Sequence, residues 1–79
     1  MLTQAIQRRI RELCDERNIT VNKLATICGI TQSTINNILS RRTTKPTVST
    51  IKKICDGLDI TLSEFFDTDY FDSLEQEVK

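Results

Sequence analysis

Apolar residues along the chain recur at intervals of three and four, and no run alternates with period two for long enough to make a strand. Ile6, Ile10 and Leu13, with Cys14 beside Leu13, predict an amphipathic helix over residues 3–17, ended by Asn18. Thr20 is placed to cap a second helix over 21–28, with Leu24, Ile27 and Cys28 on one stripe. Gly29 supplies the left-handed backbone that stops a helix cheaply. Thr31 can then cap a third helix over 32–40 that turns Ile35, Ile38 and Leu39 inward. The basic loop SRRTTKPT follows, in which Pro46 blocks helix continuation. Thr47 caps a fourth helix with stripe Ile51, Ile54, Cys55 and Leu58, whose end Gly57 and Asp59 mark, and Thr61 opens a short fifth helix through Phe66. The fold class expected is all-α, a compact five-helix domain without internal repeats or low-complexity segments.

The third helix carries an anomaly. Gln32, Ser33, Asn36, Asn37 and Ser40 fall on the side away from the apolar stripe, with no Lys, Arg, Asp or Glu among them. A face made only for solubility is normally charged, so these residues ask for another explanation.

Composition narrows the function classes. A chain of 79 residues fits one small domain. Cys14, Cys28 and Cys55 are odd in number and each lies on an apolar stripe, as reduced core thiols do. There is no CxxC pair and no His, so neither a metal site nor a cofactor is expected, no small-molecule ligand is evident, and Ser33 and the cysteines lack the commonest general base. An enzyme is not expected. MLTQAIQRRI has charges where a signal peptide needs its apolar run, and no apolar stretch approaches the roughly 18 residues of a membrane span, which predicts a soluble cytoplasmic protein without membrane contact. The zero net charge conceals an asymmetry: residues 1–58 hold ten Lys or Arg against four Asp or Glu, +6, whereas residues 59–79 hold one against seven, −6. The first part can attract a polyanion.

The spacing of Leu24, Ala25, Gly29, Ile35 and Ile38 resembles the helix-turn-helix signature of the phage repressor and Cro family, also called the xenobiotic-response-element family. Ala25 has to be small where the next helix crosses above it, Gly29 makes the turn, and Leu24, Ile35 and Ile38 fill the wedge between the helices. The likeness runs from about Ile10 to Phe66, because KPTVSTIKKICDGLDITLSEFF is similar to the family's fourth and fifth helices. It implies a repressor-like DNA-binding domain over residues 1–67, with the helix-turn-helix formed by the second and third helices, and an acidic C-terminal tail over 68–79 with room for a short helix. Three positions depart from the pattern. Val21 stands where many members have a phosphate-touching Gln. Cys14 and Leu39 replace an Arg–Glu pair and are expected to meet as apolar partners. Arg41 replaces the Gly after the third helix, so the exit must differ or place a residue in a left-handed conformation.

In this family the third helix enters the major groove, where side chains match base edges by hydrogen bonding. Carried over by position, the resemblance makes Gln32, Ser33 and Asn37 base readers with Asn36 beside them. It gives Thr20, Thr31 and Ser40 phosphates to hold through hydroxyls and nearby helix amides, and Lys23, Arg41, Arg42 and Lys45 the task of supplying charge. Four aromatics, Phe65, Phe66, Tyr70 and Phe71, lie within seven residues. Phe65 is expected in the core. Tyr70 and Phe71, with Leu74 and Val78 at i+3 and i+7 from Phe71, can form an acidic amphipathic stripe with no evident place in so small a core, which predicts a homodimer through Tyr70, Phe71 and Leu74 on a palindromic operator in double-stranded DNA. The function implied is a sequence-specific transcriptional regulator that represses by occupying a promoter. The alternative is a protein-interaction module such as an antitoxin, whose acidic, aromatic tail binds a partner protein.

Overall fold

The computed structural model describes residues 2–40 and 46–74. Arg41, Arg42 and Lys45 lie outside the described residues, as does Val78 at the far end of the tail stripe. Among the described residues six helices follow in chain order: α1 Leu2–Glu16, α2 Val21–Cys28, α3 Gln32–Leu39, α4 Val48–Leu58, α5 Leu62–Phe66 and α6 Asp69–Asp72. All four threonines chosen as caps act as such. The hydroxyls of Thr20, Thr31, Thr47 and Thr61 accept from the backbone N–H groups of Lys23, Thr34, Thr50 and Glu64, each satisfying a donor that the first helical turn would leave unpaired. At Thr61 the Glu64 side chain also accepts from the cap's own N–H, completing a capping box.

Three connections use one device that recurs in the sequence as Asn18-Ile19-Thr20, Gly29-Ile30-Thr31 and Asp59-Ile60-Thr61. The first residue of each triplet is left-handed, with φ of 56°, 67° and 58°. The isoleucine N–H then reaches back to the carbonyl five residues earlier, Ile19 to Cys14, Ile30 to Ala25 and Ile60 to Cys55, at 2.9–3.0 Å. Each isoleucine packs against the core and so fixes the exit direction, and the threonine starts the next helix. The expectation that the chain lacks internal repeats misses this three-residue unit. Gly57 is also reassigned. It lies inside α4, and Asp59 is the left-handed cap. A Cβ at Gly57 would come 2.5 Å from Cys28 Sγ and 3.0 Å from Cys28 Cα, so the glycine admits α2 against α4 rather than ending a helix.

The core is one cluster fed by α1 through α5, with Ile10, Leu24, Ile35, Ile54, Cys55 and Phe65 fully enclosed. On α2 the inward residues are Leu24 and Ala25, with Cys28 following one turn later, so Ile27 falls at the rim and is 42% exposed instead of sharing the stripe. Leu39 is only partly buried, against the cluster that contains Cys14. The α1–α3 connection is polar as well. Gln7 Nε2 donates to the Ile38 carbonyl at 2.7 Å and to the Ser40 carbonyl at 3.0 Å, and Arg11 Nη2 reaches the Leu39 carbonyl at 3.4 Å. These donors meet carbonyls that the end of α3 leaves without intrahelical partners. Burial pushes the Cys14, Cys28 and Cys55 thiols up, with Asp15 adding to the effect at Cys14 and the neighbouring thiols adding to it at Cys28. Cys14 and Cys55 lie within the core cluster and Cys28 packs against it.

Part of the tail stripe finds a place in the core. Phe71 packs on the core cluster and stacks edge-on against Phe66, with centroids 5.0 Å apart. Tyr70 lies over α1: its hydroxyl donates to Glu12, and the Arg8 guanidinium sits 4.1 Å from its ring centroid. Pairing of Arg8 and Arg9 with Glu12 completes the arrangement. Arg9 also reaches across to α5, where Nε donates to the Phe65 carbonyl at 2.7 Å and Nη2 to the Glu64 carbonyl at 2.8 Å. Of the stripe expected to have no room in the core, Phe71 finds room because α5 is a single short helix that leaves the flank of Phe65 and Phe66 open, while Tyr70 and Leu74 stay outside the core cluster and partly exposed.

Candidate nucleic-acid interface

The turn at Gly29 sets α3 against α2 with Ile35 and Ile38 buried, and helical periodicity then carries Gln32, Ser33, Asn36 and Asn37 to the outside. All four are exposed. Neither α2 nor α3 contains an acidic residue, so nothing on the two helices repels a phosphate chain. Lys23 is exposed on α2. The hydroxyl of Thr20 accepts from Lys23 N at 3.1 Å and retains its own proton for an outside acceptor. Thr31 accepts from Thr34 N at 3.2 Å and shares a hydrogen bond with the Thr34 hydroxyl. Ser40 caps the end of α3 in extended conformation, its Oγ donating to the Asn37 carbonyl at 3.0 Å. The chain therefore leaves α3 without a left-handed residue at Ser40. The site residues expected on the following loop, Arg41, Arg42 and Lys45, lie outside the described residues.

Sequence reasoning missed one side chain of this surface. Asn22, exposed in the first turn of α2, accepts through Oδ1 from Gln32 Nε2. The same Gln32 nitrogen approaches Asn36 Oδ1 at 3.4 Å. Three amides from two helices are thus joined at the point where α3 begins. The only hint in the sequence is that Asn22 follows Val21, the apolar residue where the family pattern has an amide. A pattern that assigns phosphate contact to one position gives no reason to examine the next. Tyr70, Phe71 and Leu74, expected at a dimer contact, are half-buried, Tyr70 against α1 and Phe71 against α5. Among the described residues no group of three or more His, Cys, Asp or Glu is placed to hold a metal ion, and no helix is long and apolar enough to cross a membrane.

Known proteins are similar to this chain in sequence and in fold. The sequence is 35% identical over 57 residues to the HTH-type transcriptional repressor RghR of Bacillus subtilis strain 168, a match covering 72% of this chain and 42% of the relative, so the chain spans less than half of that protein's length. The fold is similar to the crystal structure of the prophage Lp1 protein 11, with a TM-score of 0.83 and 32% identity over 94% of this chain and 97% of the other. The pattern of the Cro/C1-type HTH DNA-binding domain matches residues 9–69, from the middle of α1 to the start of α6 and including the whole amide-bearing pair α2–α3. The chain belongs to the Cro/C1-type helix-turn-helix DNA-binding domain family.

Proposed function

We propose that this protein is a sequence-specific DNA-binding transcriptional regulator that represses by occupying a promoter, with α3 in the major groove. The observation that carries this reading is the exposed, uncharged hydrogen-bonding face of α3, Gln32, Ser33, Asn36 and Asn37, on a helix pair free of acidic residues. Amide and hydroxyl side chains match base edges, which present donors and acceptors rather than net charge. Thr20, Lys23, Thr31 and Ser40 border that face and, with Arg41, Arg42 and Lys45, supply the phosphate contacts that fix register. Family membership and a repressor among the relatives support this reading over a partner-binding module. A regulator of this kind works where the DNA is, in the cytoplasm.

Selection of bound duplexes from a random pool tests the proposal. One preferred sequence is expected, bound 10³-fold or more tighter than random DNA, on the order of the ratio for specific binders. Gln32→Ala and Asn37→Ala should each lose about 1–3 kcal/mol on that site and much less on random DNA. Equal losses on both would reduce these residues to positioning the protein. The reading extends to two copies on a palindrome, joined along Tyr70, Phe71 and Leu74, with their α3 helices about 34 Å apart in successive major grooves. Its check is the mass in solution: a full-length chain that is monomeric at tens of micromolar, with and without the selected duplex, removes the dimer.

A further inference from the structure

The amide cluster at the start of α3 bears on how one base is read, an inference that rests on the base-reading role proposed for α3. Gln32 would ordinarily be able to pair bidentately with adenine, accepting from N6 through its oxygen and donating to N7 through its nitrogen. Here the nitrogen is already engaged. It donates to Asn22 Oδ1 on α2 and stands 3.4 Å from Asn36 Oδ1 one turn further along α3. An amide nitrogen has two protons to give; one is held by Asn22 and the other has Asn36 as its nearest acceptor, so Oε1 is the group of Gln32 best placed for an outside partner. The α2 contact also fixes the side chain's direction, because Asn22 belongs to a helix clamped against α4 at Gly57. A side chain held from two helices loses little further rotamer freedom when it meets a base, which favours specificity.

We propose that Asn22 is a positioning residue that, together with Asn36, presents Gln32 to the DNA as a hydrogen-bond acceptor only. Gln32 then selects a base with an exocyclic amine in the major groove, adenine through N6 or cytosine through N4. Guanine and thymine place carbonyl oxygens there and are rejected, since a carbonyl facing the Gln32 oxygen leaves two acceptors opposed.

The test is the random-pool selection repeated with four proteins: wild type, Gln32→Ala, Asn22→Ala and Asn22→Asp. In wild type, the motif position that loses its preference in Gln32→Ala should admit adenine or cytosine and disfavour guanine or thymine by about 5- to 150-fold, the range for one good base contact. Asn22→Ala frees a Gln32 N–H to donate to guanine O6 or thymine O4, so discrimination at that position alone should fall by about tenfold, a change of roughly 1.4 kcal/mol. Its melting temperature and salt dependence should match wild type, because Asn22 is exposed and uncharged. Asn22→Asp keeps an oxygen for Gln32 and should keep the base preference, while its added negative charge weakens binding to all sequences. A wild-type preference for guanine or thymine at the Gln32 position overturns the proposal, as does an Asn22→Ala motif identical to wild type. Neither of those results touches the role of α3 in reading bases. A Gln32→Ala motif unchanged at every position overturns this proposal but leaves Asn37 to carry the role of α3, whereas a wild type that selects no motif ends that role and this proposal with it.

Discussion

Replacing Gly57 by alanine sets two effects of opposite sign against each other, and the structure decides which wins. Gly57 lies within α4, and a glycine in a helix interior costs about 0.8–1.0 kcal/mol relative to alanine. On local grounds alone Gly57→Ala should therefore stabilise. The new Cβ, however, would stand 2.5 Å from Cys28 Sγ, 3.0 Å from Cys28 Cα and 3.2 Å from Cys28 Cβ. The sulfur could swing aside, but the Cα is backbone, so relief requires α2 and α4 to separate along a contact that helps frame the core. Forcing one extra carbon into a packed interior costs about 1–3 kcal/mol. With the helix gain subtracted, a net loss of about 1 kcal/mol is expected, and at most about 2 kcal/mol. Urea denaturation followed by helical circular dichroism measures it, and for a domain of this size each kcal/mol corresponds to about 4–8 °C in melting temperature. Cys28→Ala added to Gly57→Ala removes the sulfur clash but not the one with Cα, so the double variant should lose less than the sum of the two single losses. If Gly57→Ala gains the full helix-propensity increment, α2 and α4 do not meet at this point and the reasoning fails.

Further perturbations probe other contacts. Arg9→Met, which keeps the aliphatic stem but loses both bonds to the α5 carbonyls, should cost about 1.5–3 kcal/mol, and Arg9→Lys should recover only part of it, because an ammonium cannot span the Phe65 and Glu64 carbonyls as the guanidinium fork does; thermal melts of the three proteins compare them. Gly29→Val should lose about 1–2 kcal/mol or more from its left-handed φ of 67° alone, since nothing lies within 4 Å of a Cβ there, and Gly29→Asn should lose less, as Asn18 shows the chain using that residue in the same turn; a Gly29→Val protein that melts like wild type would refute a positive φ. Lys23→Ala and Arg42→Ala should each flatten the slope of log affinity against log salt by about 0.9 on any DNA, and an unchanged slope places the residue away from phosphates. Burial raises the thiols of Cys14, Cys28 and Cys55, and burial with the Glu12 contact raises Tyr70, so the folded state holds these protons more tightly than the unfolded chain. Their contribution is complete below the ordinary values of 9.0 and 10.0 and is lost as pH rises through the higher folded-state values. Denaturation midpoints should accordingly fall on the alkaline side, and Tyr70→Phe should show a shallower fall.

What could be read from the sequence was mostly what neighbouring residues decide among themselves. Threonine caps act within three residues and apolar stripes within two turns, so Thr20, Thr31, Thr47 and Thr61 and the buried faces of α1 and α4 were legible. Gly29 was legible because a left-handed turn is a local demand. Gly57 was misread because the same residue type serves a helix end and a close helix crossing, and only the position of Cys28, nearly thirty residues away, distinguishes them. Ile27 was misplaced because the crossing with α4 rotates the inward face of α2 toward Ala25 and Cys28. Of the site, periodicity brought out the exposed amides of α3. The Asn22–Gln32 bond, and the tethers from Gln7 and Arg9, link side chains to groups on other helices through no repeating pattern, and they emerge only once the helices are assembled.

Arg9 and Glu12 bind groups 55 to 58 residues later in the chain, and fully buried Phe65 supplies part of the same core. During synthesis this imposes an order. When α2 and α3 leave the ribosome, α1 has emerged but the residues that fasten its outer face, 25 to 31 positions beyond Leu39, are still enclosed in the exit tunnel. The DNA-reading pair is then a nascent segment whose core still lacks Phe65, with Ile6, Ile10 and Leu13 incompletely covered. A chain terminated before α5 would lack both the buried phenylalanine and the carbonyls that hold Arg9. The packing of the helix-turn-helix pair is thereby tied to the emergence of α5, which supplies the buried Phe65 and the carbonyls that Arg9 holds.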